Sequence, residues 1–580
     1  MLVSLFRHIV DSARTRRAAR QHHATAIAFE RARELHRGGD VAAARAICEE
    51  ILSKNPDHAG AHCLLGTLFG KAGDLDRAFA CFTEAVRLAP VLVEGHVGLG
   101  NVHRLRGEPG PAAASYRRAL AVNADSPAAH FNLGLALRHL GRLAEAADHF
   151  ERAFSLSPAL TDAAKDCALC HILLGARDKA LAMVRGALEV APGEGELHAV
   201  LGLIHQKMHE PFAAMECYER AQSLGHADAD LWNNLGIVLQ DLGQLPEALA
   251  FYERALELRP DFPLARFHRA LARLLSREYA DGWPDYELRL LSEDIPRRPY
   301  AYQRWDGSPL ASRTILVYSE QGLGDEIMFA SCLPEIVDAA GHCIVECSAK
   351  LEPLFRRSFP RAHVYAATAD HSVPDAIKAR AIDCEILSGT LPLHLRASPA
   401  DFPQHNSYLK ADPQRVAAWH GRLRALGTGL KVGISWRGGT HKTRSPLRSI
   451  PLPRWLPILR TDAARFISLQ YGECRGDLEE LAAAHGMTVT HWQEAIDDYD
   501  ETAALLCALD VVISVCTAVI HLGGALGRPV WIMAPYAPEW RYGFTGNDMP
   551  WYPSVRVYRQ PAYGQWGPVI ETVAAQLTHS

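Results

Sequence analysis

Val511–Met533 reads VVISVCTAVIHLGGALGRPVWIM. Its opening run, Val511–Val515, is apolar and β-branched, the composition of a strand buried on both faces of a parallel sheet. Cys516-Thr517-Ala518 then turns the chain into a short helix of small residues, Ala518–Leu526. Gly527 ends that helix, and Arg528-Pro529 leads into a second buried strand, Val530–Met533. A strand, a turn bearing a hydroxyl and a helix start make an anion site. Unpaired backbone N–H groups and the positive end of the helix dipole face whatever lies beyond the strand's carboxyl end. Thr517 would offer its hydroxyl there, and Thr517 and Ala518 their N–H groups. His521 falls one helical turn along the same face, to touch a ligand or to pack.

Outward from this stretch the alternation continues. Strands are expected at Thr314–Ser319, Cys343–Cys347, Lys431–Trp436, Phe466–Gln470 and Val555–Tyr558, with helices at Ile327–Ala340 and Pro413–Leu426. Strand–helix alternation implies parallel sheets. The expected lobes are residues 313–412 and 413–580, two nucleotide-fold units in tandem with ligand loops at their strand carboxyl ends.

Three motifs in this half resemble the glycosyltransferase family 9 group, whose best-known members are the lipopolysaccharide heptosyltransferases. They are Gly322-Leu-Gly324-Asp325, Ser435-Trp436-Arg437 with the basic loop after it, and Ser514–Gly527. The resemblance implies a two-Rossmann (GT-B) fold and transfer of a sugar from a nucleotide-sugar donor. It assigns Asp325 as the base that takes the acceptor proton, with Glu326 as the alternative; capping of the following helix is the competing reading. Gly322 and Gly324 let the backbone approach a ligand closely. The loop 437–449 carries Arg437, Lys442, Arg444 and Arg448, cations suited to a diphosphate, and by position Lys442 and Arg448 are the expected phosphate contacts. Gln470 and Tyr471 end a strand on the same side and would wall the nucleotide base. The heptosyltransferases have an aspartate where this chain has Cys516, so donor identity does not transfer; Cys516 is read as an inert wall of the pocket. Trp540-Arg541-Tyr542 and Trp551-Tyr552 either stack on the ligand or seal the domain. No metal-ligand cluster is found, so the expected reaction is metal-independent, inverting and without a cofactor beyond the donor substrate.

The first half is organised by a period. Gly39, Gly73, Gly107, Gly141, Gly175 and Gly243 fall on a 34-residue step, as do Gly66, Gly100, Gly134, Gly202 and Gly236, and Ala44 through Ala248. Leu65-Gly66, Gly73-Asp-Leu-Asp-Arg-Ala78, Phe82-Thr-Glu-Ala85 and Pro90 closely resemble the tetratricopeptide repeat, whose period is 34. Seven repeats are expected over 25–262, starting near 25, 59, 93, 127, 161, 195 and 229. Residues 1–24 are expected as a helical, basic segment before them, and 263–312 as a capping helix and linker. Ala168 replaces the usual glycine and His209 stands at a turn glycine's place, departures expected to loosen the array locally. Such an array takes an extended protein segment on its concave face. The O-linked N-acetylglucosamine transferases grip peptide with an asparagine ladder in their repeats; here Asn132 and Asn234 hold one such position while the matching ones are Leu64, Gly98, Asp166 and Val200, so the ladder is not carried over.

Bulk composition narrows the class. A net charge of −5 gives no reason to expect nucleic acid. No run approaches the ~18 apolar residues of a membrane span, and MLVSLFRHIV lacks the pattern of a secretory signal. Thirteen scattered cysteines suit a reducing cytoplasm. Cys167 and Cys170 form a lone CxxC inside a repeat and are read as helix packing. The sequence therefore reads as a multi-domain, cytoplasmic protein, an all-α tetratricopeptide solenoid followed by an α/β two-Rossmann module. Its expected partners are a nucleotide-sugar and a protein acceptor chosen by the repeats. Two rivals stand beside it: an envelope-glycan transferase docked by its repeats, and a non-catalytic repeat scaffold.

Overall fold

The 34-residue step is a packing rule before it is a motif. The computed structural model describes residues 22–292, 295, 298, 300–404, 406–439 and 444–579. They form two compact units dividing between His226 and Ala227. The expected N-terminal segment is thus outside the described residues up to position 21.

The first unit is six helical hairpins, from the helix over 22–37 paired with Val41–Lys54 to Gly195–Lys207 paired with Pro211–Ser223. In the second, third, fourth and sixth, a glycine on the first helix lies under an aromatic ring of the second. A Cβ on Gly100 would stand 2.4 Å from Tyr116, and one on Gly134 2.6 Å from Phe150, so only hydrogen fits. The fifth hairpin corrects the expected loosening. Ala168 faces Val184, both fully buried, so the methyl group added on one helix is matched by the smaller partner on the other. The turn glycines have positive φ, as at Gly73 with φ 79. Gly73 N–H donates to Gly70 O at 3.1 Å and Asp74 N–H to Phe69 O at 3.0 Å, the left-handed stop of a helix. Asp74 Oδ1 then accepts from Arg77 N–H at 3.1 Å and starts the next helix. His209 adopts φ 62, its N–H donates to Gln206 O and Glu210 N–H to His205 O, so the turn survives its missing glycine.

The second unit opens with the seventh hairpin, α1 (Ala229–Asp241) and α2 (Leu245–Leu258). What the sequence marks as a degenerate cap is an eighth hairpin, α3 (Pro263–Leu275) and α4 (Tyr279–Tyr286). Ala270, Arg277, Gly282 and Tyr286 take the places of Gly236, Gly243, Ala248 and Tyr252, and Arg277 supplies the left-handed turn at φ 65. This hairpin is built into the α/β region. Trp283 is 1% exposed, stands edge-on to Trp540 at 5.5 Å, and donates its indole N–H to Arg396 O at 2.7 Å. Phe544 N–H donates to Leu275 O at 3.0 Å.

Two sheets follow. The first runs β3-β2-β1-β4, all parallel, from β1 (Thr314–Tyr318), β2 (His342–Cys347), β3 (His363–Ala366) and β4 (Cys384–Leu387). The second comprises β5 (Leu430–Ser435), β6 (Ala464–Ser468), β7 (Thr490–His491), β8 (Val511–Val515), β9 (Val530–Ala534), β10 (Asp548–Met549) and β11 (Tyr552–Arg559). Its order is β10-β11-β9-β8-β5-β6-β7, parallel except for the β10–β11 pair. β8 is buried along its whole length, as its composition requires. The helix expected at 327–340 is instead α5 (Leu323–Phe329), a 3-10 turn at Ala330–Cys332, and Leu333–Ala339, because Pro334 cannot donate within a continuous helix. The helix after β8 is α6 (Ala518–Ala525). No helix among the described residues is long and apolar enough to cross a membrane.

Candidate functional site

Both sheets reverse their strand order about a central strand, and crevices open outside the carboxyl ends at such points. A cavity of about 1500 Å³ lies there in the second unit. Ser319–Gly322, Asp325 and Glu326 reach it from the end of β1, and Ser348–Lys350 from the end of β2. Arg444 and Arg448 come from the loop after β5, Cys516 from the end of β8, and Pro535 and Glu539–Arg541 from the end of β9. Gln240, Pro263, Phe267 and Leu271 close one side, so helices α1 and α3 of the last two hairpins are part of the wall.

Charge in the cleft is arranged as a chain. Asp325 pairs with Arg541, whose Nη1 also donates to Glu539 Oε2 at 3.2 Å. Arg448 Nη1 donates to Glu539 Oε1 at 2.6 Å. Burial pushes the Asp325 carboxyl above its ordinary value, with Arg541 pulling the other way. Next to it, Glu326 is 4% exposed, and burial raises its carboxyl to about 7 although Ser348 N–H donates to it at 2.7 Å. Deeper, Arg289 donates to Glu320 Oε1 from Nε at 3.1 Å and Nη2 at 2.9 Å, and to Thr390 Oγ1 at 2.8 Å. This buried pair joins the end of the eighth hairpin to the turn after β1.

The sequence-derived residues sort into three groups. Gly322, Asp325, Arg448 and Cys516 line the cleft. Cys516 is buried, and burial raises its thiol to about 12, so it is a neutral wall and no thiolate nucleophile. Gly324, Ala518 and His521 pack together beneath it: a Cβ on Gly324 would stand 3.2 Å from the His521 ring and 3.4 Å from Ala518 Cα. The two motifs therefore meet, but through packing. His521 is held between Tyr552 Oη at 3.2 Å and Tyr542 Oη at 3.5 Å, and burial lowers it to about 3, a neutral ring of the core. Thr517 is likewise buried, its hydroxyl 3.2 Å from Ser514 Oγ. The expected anion cradle at Thr517 and Ala518 is corrected accordingly, since neither is among the residues lining the cleft, and His521 takes the packing role of its two alternatives.

The third group lies off the cleft lining. Gln470 is 2% exposed, and its carbonyl oxygen accepts from Trp436 N–H at 3.0 Å and Arg437 N–H at 2.8 Å. Its amide donates to Arg437 O at 3.2 Å. Gln470 is a clasp between the loops after β5 and β6, which corrects its reading as a base-binding wall. Tyr471 donates to Gly439 O at 3.3 Å, and Arg437 is engaged by Glu473 O and by Asp477 at 3.2 Å. Lys442 falls outside the described residues. Sequence reasoning passed over Glu539 and read Arg541 only as part of an aromatic loop. The available signal was its position, directly beyond the carboxyl end of β9. Trp540, Tyr542, Trp551 and Tyr552 are all buried and chiefly seal the unit, though Trp540 also borders the cleft.

Comparisons with known proteins bear mainly on the repeats. Tetratricopeptide-repeat family profiles match residues 29–93, 97–160, 137–204 and 229–262. The chain thus carries tetratricopeptide repeats, followed by an α/β region with parallel sheets. Protein FlbA of Caulobacter vibrioides is 35% identical over 334 residues, covering 55% of this chain and 55% of FlbA, so the chain spans about half the length of the curated relative it matches. Among solved structures, Pseudomonas aeruginosa pilF is 19% identical over 37% of this chain and 96% of that one, with a TM-score of 0.33. A thermophilic tetratricopeptide protein of Thermus thermophilus is 24% identical over 31% of this chain and 99% of that one, with a TM-score of 0.28.

Proposed function

We propose that the protein is a glycosyltransferase moving a sugar from a nucleotide-sugar donor to a hydroxyl of a protein acceptor, with the repeats selecting that acceptor. One observation carries the reading. Strand carboxyl ends from two parallel sheets bring Asp325, Arg448 and Arg541 to a single cleft, whose lining holds six lysines and arginines against four carboxylates. Arg298 and Arg444 are paired with Glu346 and Asp241 from outside the lining, so the cations that carry the reading are Arg448 and Arg541, and arginine suits a diphosphate by bidentate hydrogen bonding. In the reaction, the acceptor oxygen bonds to the anomeric carbon as the bond from that carbon to the phosphate oxygen breaks. Asp325 takes the acceptor proton, and Arg448 with Arg541 stabilises the departing diphosphate. Burial around Asp325 suits it to hold that proton. Displacement in one step inverts the anomeric centre. Repeat arrays commonly hold protein segments, and α1 and α3 border the cleft itself, which supports a polypeptide acceptor over an envelope glycan.

Donor turnover tests the reading. The full chain is incubated with UDP-, GDP-, ADP- and CMP-sugars and free nucleotide is measured, with Asp325→Ala and Arg448→Ala alongside. Release from one donor, reduced at least about a hundredfold by Asp325→Ala, is the expected result. Donor binding without release calls for repeating the assay with cell lysate as a source of acceptor. No binding and no release with any donor would overturn it in favour of an interaction scaffold.

A further inference from the structure

The cleft's two best-placed phosphate ligands are already engaged. Glu539 bridges them, one carboxylate oxygen 2.6 Å from Arg448 Nη1 and the other 3.2 Å from Arg541 Nη1. The bridge is only partly buried, with side-chain exposures of 12% for Arg448, 15% for Arg541 and 32% for Glu539, so an incoming ligand can reach it. Arg541 is at the same time the partner of Asp325.

We propose that Glu539 is a resident counter-ion at a phospho-anion site: a pyrophosphate-type ligand displaces it from Arg448 and Arg541, and the turning of Arg541 towards that ligand releases Asp325. A carboxylate bridging two guanidinium groups offers two acceptor oxygens and one negative charge. A diphosphate offers more of both and competes for the same forks. Glu539 also pairs two half-buried arginines, where unpaired charge would be costly. The consequence for Asp325 follows from its surroundings. Burial pushes its carboxyl up and Arg541 opposes this, so withdrawal of Arg541 leaves a stronger base at the moment the donor is seated. The second half of this inference rests on the glycosyl-transfer reading; the displacement of Glu539 does not.

The test is calorimetric binding of inorganic pyrophosphate to the full chain at low salt, wild type beside Glu539→Gln and Arg448→Gln. Glu539→Gln, which keeps the shape and removes the competing charge, is expected to tighten binding about five- to tenfold, or to create it where the wild type shows none. Arg448→Gln is expected to weaken it at least about tenfold. Equal or weaker binding by Glu539→Gln, with unchanged circular dichroism and melting, overturns the proposal, as does absence of binding in both. Should the Gln variant fail to fold, Glu539→Asp keeps the charge but withdraws it by one methylene, and about a twofold tightening is expected; no tightening overturns the proposal. Donor turnover is read on the same samples. Pyrophosphate results as expected without turnover of any donor would sink the transfer reading alone. Turnover with an unresponsive Glu539→Gln would sink this one alone.

Discussion

The fourth and the eighth hairpins share a 34-residue frame and use it for different ends. In the fourth, Gly134 receives the ring of Phe150 and Gly141 makes the left-handed turn. In the eighth, Ala270 stands in the glycine's place and Arg277 makes the turn, its guanidinium donating to Asp548 Oδ2 at 2.9 Å. The sharpest contrast is one residue past the small-residue position of the second helix. Arg45, Phe79, Ala113, Ala147, Leu181, Met215 and Leu249 occupy it in the first seven hairpins, and Trp283 in the eighth. Positions of the frame decide how two helices of a hairpin meet. Positions just off it decide what the hairpin packs against, and Trp283 converts a repeat into a joint.

The largest test of that contrast is Trp283→Ala. Removing a fully buried indole that touches Tyr279, Tyr286, Trp540 and Trp551 should cost about 3–5 kcal/mol. All eleven tryptophans lie at position 232 or later, within the second unit, so tryptophan emission during denaturant unfolding follows that unit alone. A loss below about 1 kcal/mol would mean that the eighth hairpin is a passive cap and the comparison is mistaken.

A second, smaller difference lies in buried charge. Glu326, in the second unit, rises from 4.5 to about 7 on burial. Folding therefore favours its protonated form. The stability this contributes is fully present below about pH 4.5, and it is lost as pH climbs through about 7. Glu326→Gln removes the titration. The stability of the variant relative to wild type, read from tryptophan emission, should improve by roughly 3 kcal/mol between pH 4.5 and pH 8. A difference independent of pH would place the Glu326 carboxyl in contact with water.

How far the sequence disclosed all this depends on whether a feature is periodic or local. The repeats were legible because Gly66, Gly73 and Ala78 recur by number, and β8 because Val511–Val515 has room for no other structure. The eighth hairpin was read as a cap because two of its frame glycines are Ala270 and Arg277; the frame held while its usual letters did not. Of the site, Gly322, Asp325, Arg448 and Cys516 were reached through motifs next to strand ends. Gln470 and His521 have the residue types of ligand contacts, yet burial turned their polar atoms inward, to backbone amides in one case and tyrosine hydroxyls in the other. Glu539 was missed because its partners, Arg448 and Arg541, meet it only after a long loop and a strand end come together. No spacing in the chain encodes that meeting.

The smallest effect separates the two left-handed hairpin turns of the repeats that lack glycine among the described residues. His209 in the first unit and Arg277 in the second hold φ 62 and φ 65, where an L-residue is strained by roughly 1 kcal/mol. Glycine relieves the strain but gains chain entropy on unfolding, so His209→Gly should stabilise the first unit by about 0.5 kcal/mol, measured by the far-ultraviolet dichroism of its helices. Arg277→Gly gains the same backbone relief and loses the contact with Asp548. That pair is 26% and 68% exposed, which limits its worth to a few tenths of a kcal/mol, about the size of the relief. Its net effect on tryptophan-detected unfolding should be near zero. A clear loss with Arg277→Gly would show that the turn of the eighth hairpin is held by its side chain, making Arg277 part of the joint along with Trp283. A clear gain would show the opposite, a repeat turn indistinguishable from the others, leaving Trp283 as the residue that sets this hairpin apart.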